Sequence, residues 1–393
     1  MEPREIIPGV HYVGAQDFDR KLFDALIPLP DGTSYNAYLV RGRDRVALID
    51  AVDPQMLPVL QAYLEGVPRI DYVISNHTEQ DHSGGLPWVL ERYPDAQLLA
   101  SAPAASMLAD HLGLDAAKVR TVADGERLDL GSKTLRFIYT PWVHWPETMS
   151  TFLEEDRVLF SCDWFGSHVA QTELFVDRAD CILAEAKRYY AEIMMPFRQT
   201  VQKNLEKIKD LDVRLIAPSH GPVHRHPGSI IQAYRDWTDD RPHNSVVIPW
   251  VTMHGSTQIM VERLIGSLVE RGVSVFPFNA STADIGKLAM ALVDAATLVV
   301  AAPTVHVGPH PAVLSAVVLA NALRPKARFA SIIGSYGWAS KMVDVVKAAM
   351  PNVKAELLTP VVAKGSPKPA DLEAIDKLAE AIAAKHRGLG LMT

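Results

Sequence analysis

A chain of 393 residues is too long for one ordinary hydrophobic core, so the sequence is read as two domains. Apolar residues at 48% and charged residues at 22% match a packed globular protein and exclude a long disordered tail; a net charge of -7 with no basic run excludes nucleic acid as a partner. Only Cys162 and Cys181 are present, which excludes a disulfide framework and an all-thiolate metal site.

The chain opens MEPREIIPGV, without the apolar core of a signal peptide, and no later run reaches the ~18 apolar residues that span a bilayer. A cytoplasmic protein with no membrane partner is expected. Strand-like runs follow at GVHYVGA (9–15), NAYLVRG (36–42) and RVALIDA (45–51), then an amphipathic helical pattern over 54–66. The strand in YVISNH (72–77) runs directly into SNHTEQDHSGGLP, where His77, Glu79, Asp81 and His82 crowd six positions. A tight loop beyond a strand end can aim several of these side chains at one point, and imidazole with carboxylate is a ligand set for zinc, iron or manganese. The alternative is an exposed polar loop that caps the next helix.

Later strands repeat the pattern. After QLLASAP (97–103), LRFIYTP leads to His144, RVLFSCD closes on Asp163, and, beyond an amphipathic stretch at 198–210, RLIAPSH closes on His220. Four separate segments thus place ligand-type residues at strand ends, where loops carry chemistry on a rigid scaffold. In order and spacing, residues 1 to about 240 resemble the metallo-β-lactamase fold, which implies an αββα sandwich with a dinuclear site at one edge. Hydrolases of that superfamily usually read His-x-His-x-Asp-His, whereas this chain reads His77-Thr78-Glu79-Gln80-Asp81-His82. An oxygen ligand in place of a nitrogen favours iron over zinc, which cannot change valence and mainly activates water.

Residues 237–244, WTDDRPHN, are polar and broken by proline, and we place a domain boundary there, giving domains 1–244 and 245–393. The second half alternates strand and helix regularly from SVVIPWVT onward, which predicts a doubly wound parallel sheet. Its first strand ends in Thr252, Met253, His254, Gly255, Ser256 and Thr257, followed at once by an amphipathic helix. Hydroxyls and N–H groups at a helix N-terminus form an anion site, and without Lys or Arg in the loop the expected ligand is a phosphate monoester, as in flavodoxin-type FMN sites. The GK[ST] of a Walker loop is absent; a plain N-cap is the alternative reading. Two later strand ends, Pro303, Thr304, Val305, His306 and Gly308, then Ser335, Tyr336, Gly337 and Trp338, should line the same crevice. Tyr336 or Trp338 can pack on a flat ring there.

These two halves in this order resemble the flavodiiron proteins, or A-type flavoproteins, across nearly the whole chain. Besides the ligand motif, the resemblance is carried by LPDGTSYN (29–36), YYAEIMMP (189–196), APSHGP (217–222) and GSYGW (334–338). It implies a metallo-β-lactamase-like diiron domain followed by a flavodoxin-like FMN domain. It assigns His77, Glu79 and His144 to one iron, Asp81, His82 and His220 to the other, and Asp163 to both. It further implies reduction of dioxygen to water, of nitric oxide to nitrous oxide, or both, with dioxygen slightly favoured. A head-to-tail homodimer, or a tetramer built from it, would set the FMN of one subunit against the irons of the next. A fused rubredoxin is impossible with two cysteines, so the donor is expected to be separate: rubredoxin served by an NADH-dependent reductase, or a reduced deazaflavin. Relatives with a Phe-His pair before the GTSYN motif are matched here by Phe23-Asp24, a departure at the gas pocket. The rival readings are a zinc hydrolase with an accessory FMN domain and a non-catalytic flavin electron carrier.

Several residues are expected to stay outside the chemistry. His168, His224 and His226 match no ligand position and are read as surface residues or as neighbours of the ligands. Trp142 and Trp145 are read as packing, and Cys162 as a small buried hydrophobe. His254 and His306 are read as either flavin contacts or solvent-facing residues.

Overall fold

The structure is a computed structural model and describes residues 1–176 and 182–392; Cys181 lies outside the described residues. The chain divides into two compact units, 1–238 and 239–393. Of the polar stretch 237–244, Trp237 and Thr238 belong to the helix Gly228–Thr238, and His243 and Asn244 already belong to the strand His243–Trp250.

The first unit holds two seven-stranded sheets. One runs, edge to edge, Arg4–Ile7, Val10–Tyr12, Tyr38–Arg41, Val46–Ile49, Tyr72–Ser75, Gln97–Ser101 and Val119–Val122. The other runs Arg127–Asp129, Thr134–Tyr139, Met149–Leu153, Val158–Cys162, Leu215–Pro218, Val223–His224 and Phe175–Val176. Strand period decides which residue enters which core. Tyr38, Val40, Ala47 and Ile49 meet Phe137, Leu153 and Phe160 of the second sheet. The alternate residues Leu39, Leu48 and Val73 face Leu60, Leu64 and Leu108 on the covering helices. With both faces of the first sheet apolar, its strands read as continuous hydrophobic runs.

Local capping sets the connections. Asp53 accepts from the Gln55 N–H and starts a 3-10 turn, Pro54–Met56, that feeds the helix Leu57–Leu64. The helix Arg198–Ile208 buries Val201, Asn204, Leu205 and Ile208, a helical stripe.

The second unit is built on a parallel sheet. Counted along the chain, its strands are His243–Trp250, Ser274–Asn279, Ala295–Val305, Phe329–Tyr336 and the broken pair Glu356–Leu357 and Val361–Lys364. Their spatial order is 2-1-3-4-5, the flavodoxin-like order, with its switch point between the first and third strands. One local difference from the expected layout appears at the third strand end. The strand continues to Val305 and turns back through His306 and Val307, both at positive φ, into the short strand Gly308–Pro309. None of the described helices is long and apolar enough to cross a membrane.

Candidate metal centre and flavin loops

The loop after Tyr72–Ser75 is held rigidly by its own polar groups. Asp50, at the end of the neighbouring strand, accepts from the N–H (2.8 Å) and the side-chain amide (3.1 Å) of Asn76. Ser75 donates to the carbonyl of His77, and Ser83 to those of Thr78 and Glu79. This fixes His77 and Glu79 just before the short helix Gln80–Ser83, which carries Asp81 and His82. His144 arrives from the loop after Thr134–Tyr139, Asp163 directly follows Val158–Cys162, and His220 follows Leu215–Pro218.

All seven residues converge, and they fall into two groups that share one carboxylate. Glu79 Oε2 lies 3.1 Å from both His77 Nε2 and His144 Nε2, and Asp163 Oδ2 lies 3.5 and 3.4 Å from the same two nitrogens. On the other side, Asp163 Oδ1 lies 3.0 Å from His82 Nε2 and 3.3 Å from His220 Nε2. Asp81 closes that second group at 3.4 Å from His82 and 3.2 Å from His220.

Donor chemistry fits metal ions. Both oxygens of Asp81, both of Asp163 and the His82 Nε2 are buried without a hydrogen-bond partner among the described residues, although each has polar atoms close by. Atoms bound to a common ion at ~2.1 Å with angles of 90 to 110° sit ~3.0 to 3.4 Å apart, which is the spacing seen here. Burial alone would depress the imidazoles, yet the carboxylates outweigh it. His144 is held up at about 9 by Asp163 and Glu79, and His220 at about 10 by Asp163 and Asp81. The same pairing drives Asp163 and Glu79 far below the ordinary carboxylate range despite burial. Such a site collects positive charge, and cations would replace those protons.

Neighbouring groups set the tautomers. His77 Nδ1 donates to Glu147 Oε1 at 2.7 Å, and His220 Nδ1 to the carbonyl of Ser34 at 2.6 Å, which leaves both Nε2 lone pairs facing the donor groups. Glu147 Oε1 also takes the N–H (3.1 Å) and hydroxyl (2.8 Å) of Thr78. Glu147 escaped the sequence reading: in HWPET nothing distinguishes it from a surface acid, and its role appears only where folding buries it beneath His77.

Of the histidines set aside, His226 is exposed, but His168 and His224 are buried rather than on the surface. His168 Nδ1 lies 2.9 Å from the Thr33 hydroxyl, and its ring packs against Phe23, Tyr189 and His220. His224 bonds the Phe165 carbonyl, and burial pushes it down to about 4. Trp145 meets His77 edge-on at 4.9 Å, Trp142 stacks on Phe197, and Cys162 is buried with a free thiol. Asp24 lies on the exposed turn between Leu22–Phe23 and Ile27–Pro28. Its carboxyl is raised first by partial burial, then by the charges of Glu79 and Asp81.

In the second unit the three predicted loops end adjacent strands at one edge, as the register pairs Trp250 with Ala301, Ala302 with Gly334 and Pro303 with Ser335. A Cβ on Gly334 would lie 1.9 Å from the Ala302 carbonyl oxygen, so only glycine permits this approach. Thr252 Oγ1 accepts from the Gly255 N–H at 3.0 Å, and Gly255, at φ 87°, turns the chain into the helix Ser256–Glu270. The first N–H groups of that helix have no intrahelical partner, and they follow a loop that carries the Thr252 hydroxyl and no Lys or Arg. Thr257 is buried with its hydroxyl 3.3 Å from that of Ser335, while Thr304 pairs with Ser340 at 2.9 Å. Met253, His254, His306, Gly337 and Trp338 are exposed, Val305 and Gly308 are half-buried in the hairpin, and Tyr336 with Trp338 lines a cavity of about 390 Å³.

A buried two-group carboxylate and imidazole centre on an αββα sandwich, followed by a flavodoxin-like sheet with three loops at one edge, defines a metal- and flavin-dependent oxidoreductase. The model of the ODP family beta lactamase matches residues 33–221. The nitric oxide reductase of Moorella thermoacetica is 34% identical over 98% of this chain and 99% of its own length. The coenzyme F420H(2) oxidase of Methanothermobacter marburgensis is 35% identical over 85% of this chain and 86% of its own. The solved rubredoxin oxygen:oxidoreductase of Desulfovibrio gigas superposes with a TM-score of 0.94 at 28% identity, covering 99% of this chain and 100% of that one. The chain belongs to the flavodiiron, or A-type flavoprotein, family, whose cofactors are FMN and a non-haem diiron centre.

Proposed function

We propose that the protein reduces dioxygen to water and nitric oxide to nitrous oxide as a detoxification reaction, with dioxygen the preferred substrate. The observation that carries this reading is Asp163, whose two oxygens each face a separate group of ligand atoms. His77, Glu79 and His144 would hold one iron, Asp81, His82 and His220 the other, and Asp163 would bridge them. When bound, the two irons supply electrons one at a time to a gas molecule, and FMN replenishes them in pairs.

The chain's own contribution is placement. Glu147 and the Ser34 carbonyl hold His77 and His220 in the metal-binding tautomer, and the aromatic wall of Phe23, Tyr35 and Tyr189 limits water around His220. Partial burial and the charges of Glu79 and Asp81 raise the Asp24 carboxyl, which suits it to hold a proton for delivery to the reduced gas. Thr252, Gly255, Ser256 and Thr257 would cradle the FMN phosphate, and Met253, His254, Pro303 to His306, Gly308 and Ser335 to Trp338 would surround its ring.

Exposed Leu22 and Leu26 flank the turn that carries Asp24, exposed Trp142 lies two residues before His144, and exposed Met253 and Trp338 lie on the flavin loops. Those apolar rims support a head-to-tail homodimer, or a tetramer of such pairs, in which each covers the other. The electron donor is a separate protein or cofactor, rubredoxin or a reduced deazaflavin, and the setting is cytoplasmic. Anaerobic purification tests the reading: about two irons and one FMN per chain with fast reoxidation of the reduced protein by dioxygen is expected. Zinc in place of iron, or reduced protein inert to both gases, would overturn it, and an active monomer by sedimentation would remove the dimer.

A further inference from the structure

The residue after the shared carboxylate, Trp164, begins a file of aromatic side chains that the reaction as described does not use. Trp164 is wholly buried, and its Nε1–H has no hydrogen-bond partner among the described residues. A hydrophobic core needs only apolar volume there, and an unpaired buried N–H carries a desolvation cost that Leu or Phe would not incur. The indole stacks on Phe165, with centroids 4.5 Å apart and planes at 16°. Phe165 meets Tyr234 at 4.8 Å, and its N–H donates to the Tyr234 hydroxyl at 3.2 Å, which pins the phenol in the file. Tyr234 meets Trp237 at 5.2 Å. Tyr190 lies 5.4 Å from both and donates to the Trp237 carbonyl at 3.3 Å. Of these five rings only Trp237 keeps any exposed surface, 8% of its area.

We propose that this file is a protective one-electron path, through which an oxidising equivalent left unused at the metal group is carried from Trp164 to Trp237 near the surface. The proposal rests on the diiron reading, since that centre is the source of the oxidant. Indole and phenol are the side chains that lose an electron most readily, and four of the five rings belong to these types. Lacking an acceptor, Trp164 Nε1 keeps its proton when the ring is oxidised, so only an electron moves. A buried indole cation is costly. That cost drives the positive charge outward, and the Tyr234 and Phe165 rings couple one indole to the other. Trp237 therefore gives up one electron, the oxidant gains it, and a soluble thiol restores the indole. Two such events convert two thiols to a disulfide and release two protons.

Hydrogen peroxide, which takes two electrons and two protons to form two waters, serves as the probe oxidant on the iron-loaded full chain with thiol omitted. Freeze-quench electron paramagnetic resonance should show an indole radical, and peptide mass mapping should find added oxygen concentrated on Trp237. Added thiol should suppress the mark, and metal-free protein should not show it. Trp237→Phe should shift the mark inward to Trp164 and Tyr234, and Tyr234→Phe should confine it to Trp164, so that either variant suffices if the other fails to fold. Oxidation spread over exposed Met253 and Trp338 in every variant, with no organic radical, would overturn the proposal. Dioxygen uptake by the same preparation bears on the gas-reductase reading alone, because the peroxide experiment does not depend on it.

Discussion

Glu147 offers the sharpest test of how this chain holds its metals. Its Oε1 receives three hydrogen bonds, from His77 Nδ1, the Thr78 N–H and the Thr78 hydroxyl, in a pocket where the side chains of His77 and Glu147 have no exposed surface. In Glu147→Gln the amide oxygen can still accept from Thr78, but the charge-assisted bond from His77 becomes a neutral one. Hydrogen bonds to charged groups contribute about 1.5 to 3 kcal/mol against about 0.5 to 1.5 for neutral ones, so losing the charge alone costs about 1 to 1.5 kcal/mol and should weaken binding of the His77, Glu79 and His144 ion by roughly 5- to 13-fold. Removing the partner behind a ligand histidine altogether costs about 10- to 100-fold, so the conservative amide should fall at the lower end of that range or below it. Competition with a chelator under anaerobic conditions reads the affinity, and the other ion serves as an internal reference. Thr78→Val, which spares the His77 bond, should cost less than about 1.5 kcal/mol. If Glu147→Gln retained both ions within twofold of the original affinity, the carboxylate would not be setting the His77 tautomer.

Three further outcomes are expected. Asp24→Asn should slow gas reduction by at least about tenfold with iron content unchanged, as for removal of a positioned proton donor; an unchanged rate would take Asp24 off the proton path. Gly255→Ala meets no atoms within 4 Å, so its cost is the positive φ alone, about 1 to 2 kcal/mol. FMN titration should show roughly a 5- to 30-fold weaker site, and unaltered affinity would mean the loop tolerates a different turn. His386 is buried between Thr297 and Asn244, and burial pushes it down to about 4 from an ordinary value of 6.5. Protonation then favours the unfolded chain, so stability of the helix Pro369–Gly388 is complete above pH 6.5 and declines toward pH 4 by up to about 3 kcal/mol. Amide exchange in that helix should accelerate over this window, and His386→Gln should flatten the slope.

What could be read from the sequence follows from which signals are local. The clustered residues were legible because His77, Asp163 and His220 lie within two residues of an apolar strand end, and chemistry-bearing residues there need only the strand period to be found. The grouping of those residues came from family resemblance alone; in the structure Asp163 turns Oδ2 toward His77 and His144 and Oδ1 toward His82 and His220. Glu147 and the burial of His168 and His224 were illegible for the opposite reason. Their partners, His77, Thr33 and Phe165, lie 59 to 135 residues away in the chain, and no spacing rule spans such a distance. The second flavin loop was half legible: Pro303 to Gly308 read as a loop, yet pairing with Phe329–Tyr336 carries the strand to Pro303, and a hairpin that pairs Thr304 with Pro309 and Val305 with Gly308 compresses the turn onto His306 and Val307. Val307 is β-branched and sits at φ 72°, a conformation its own preference opposes, so only contacts made after folding can hold it there. One such contact is visible, the Lys341 N–H donating to the Val307 carbonyl at 2.7 Å, and it ties this hairpin to the loop that carries Tyr336 and Trp338. The flavin loops are thus set by one another as much as by their own residues, whereas His77, Asp163 and His220 are set by the strand that each one follows.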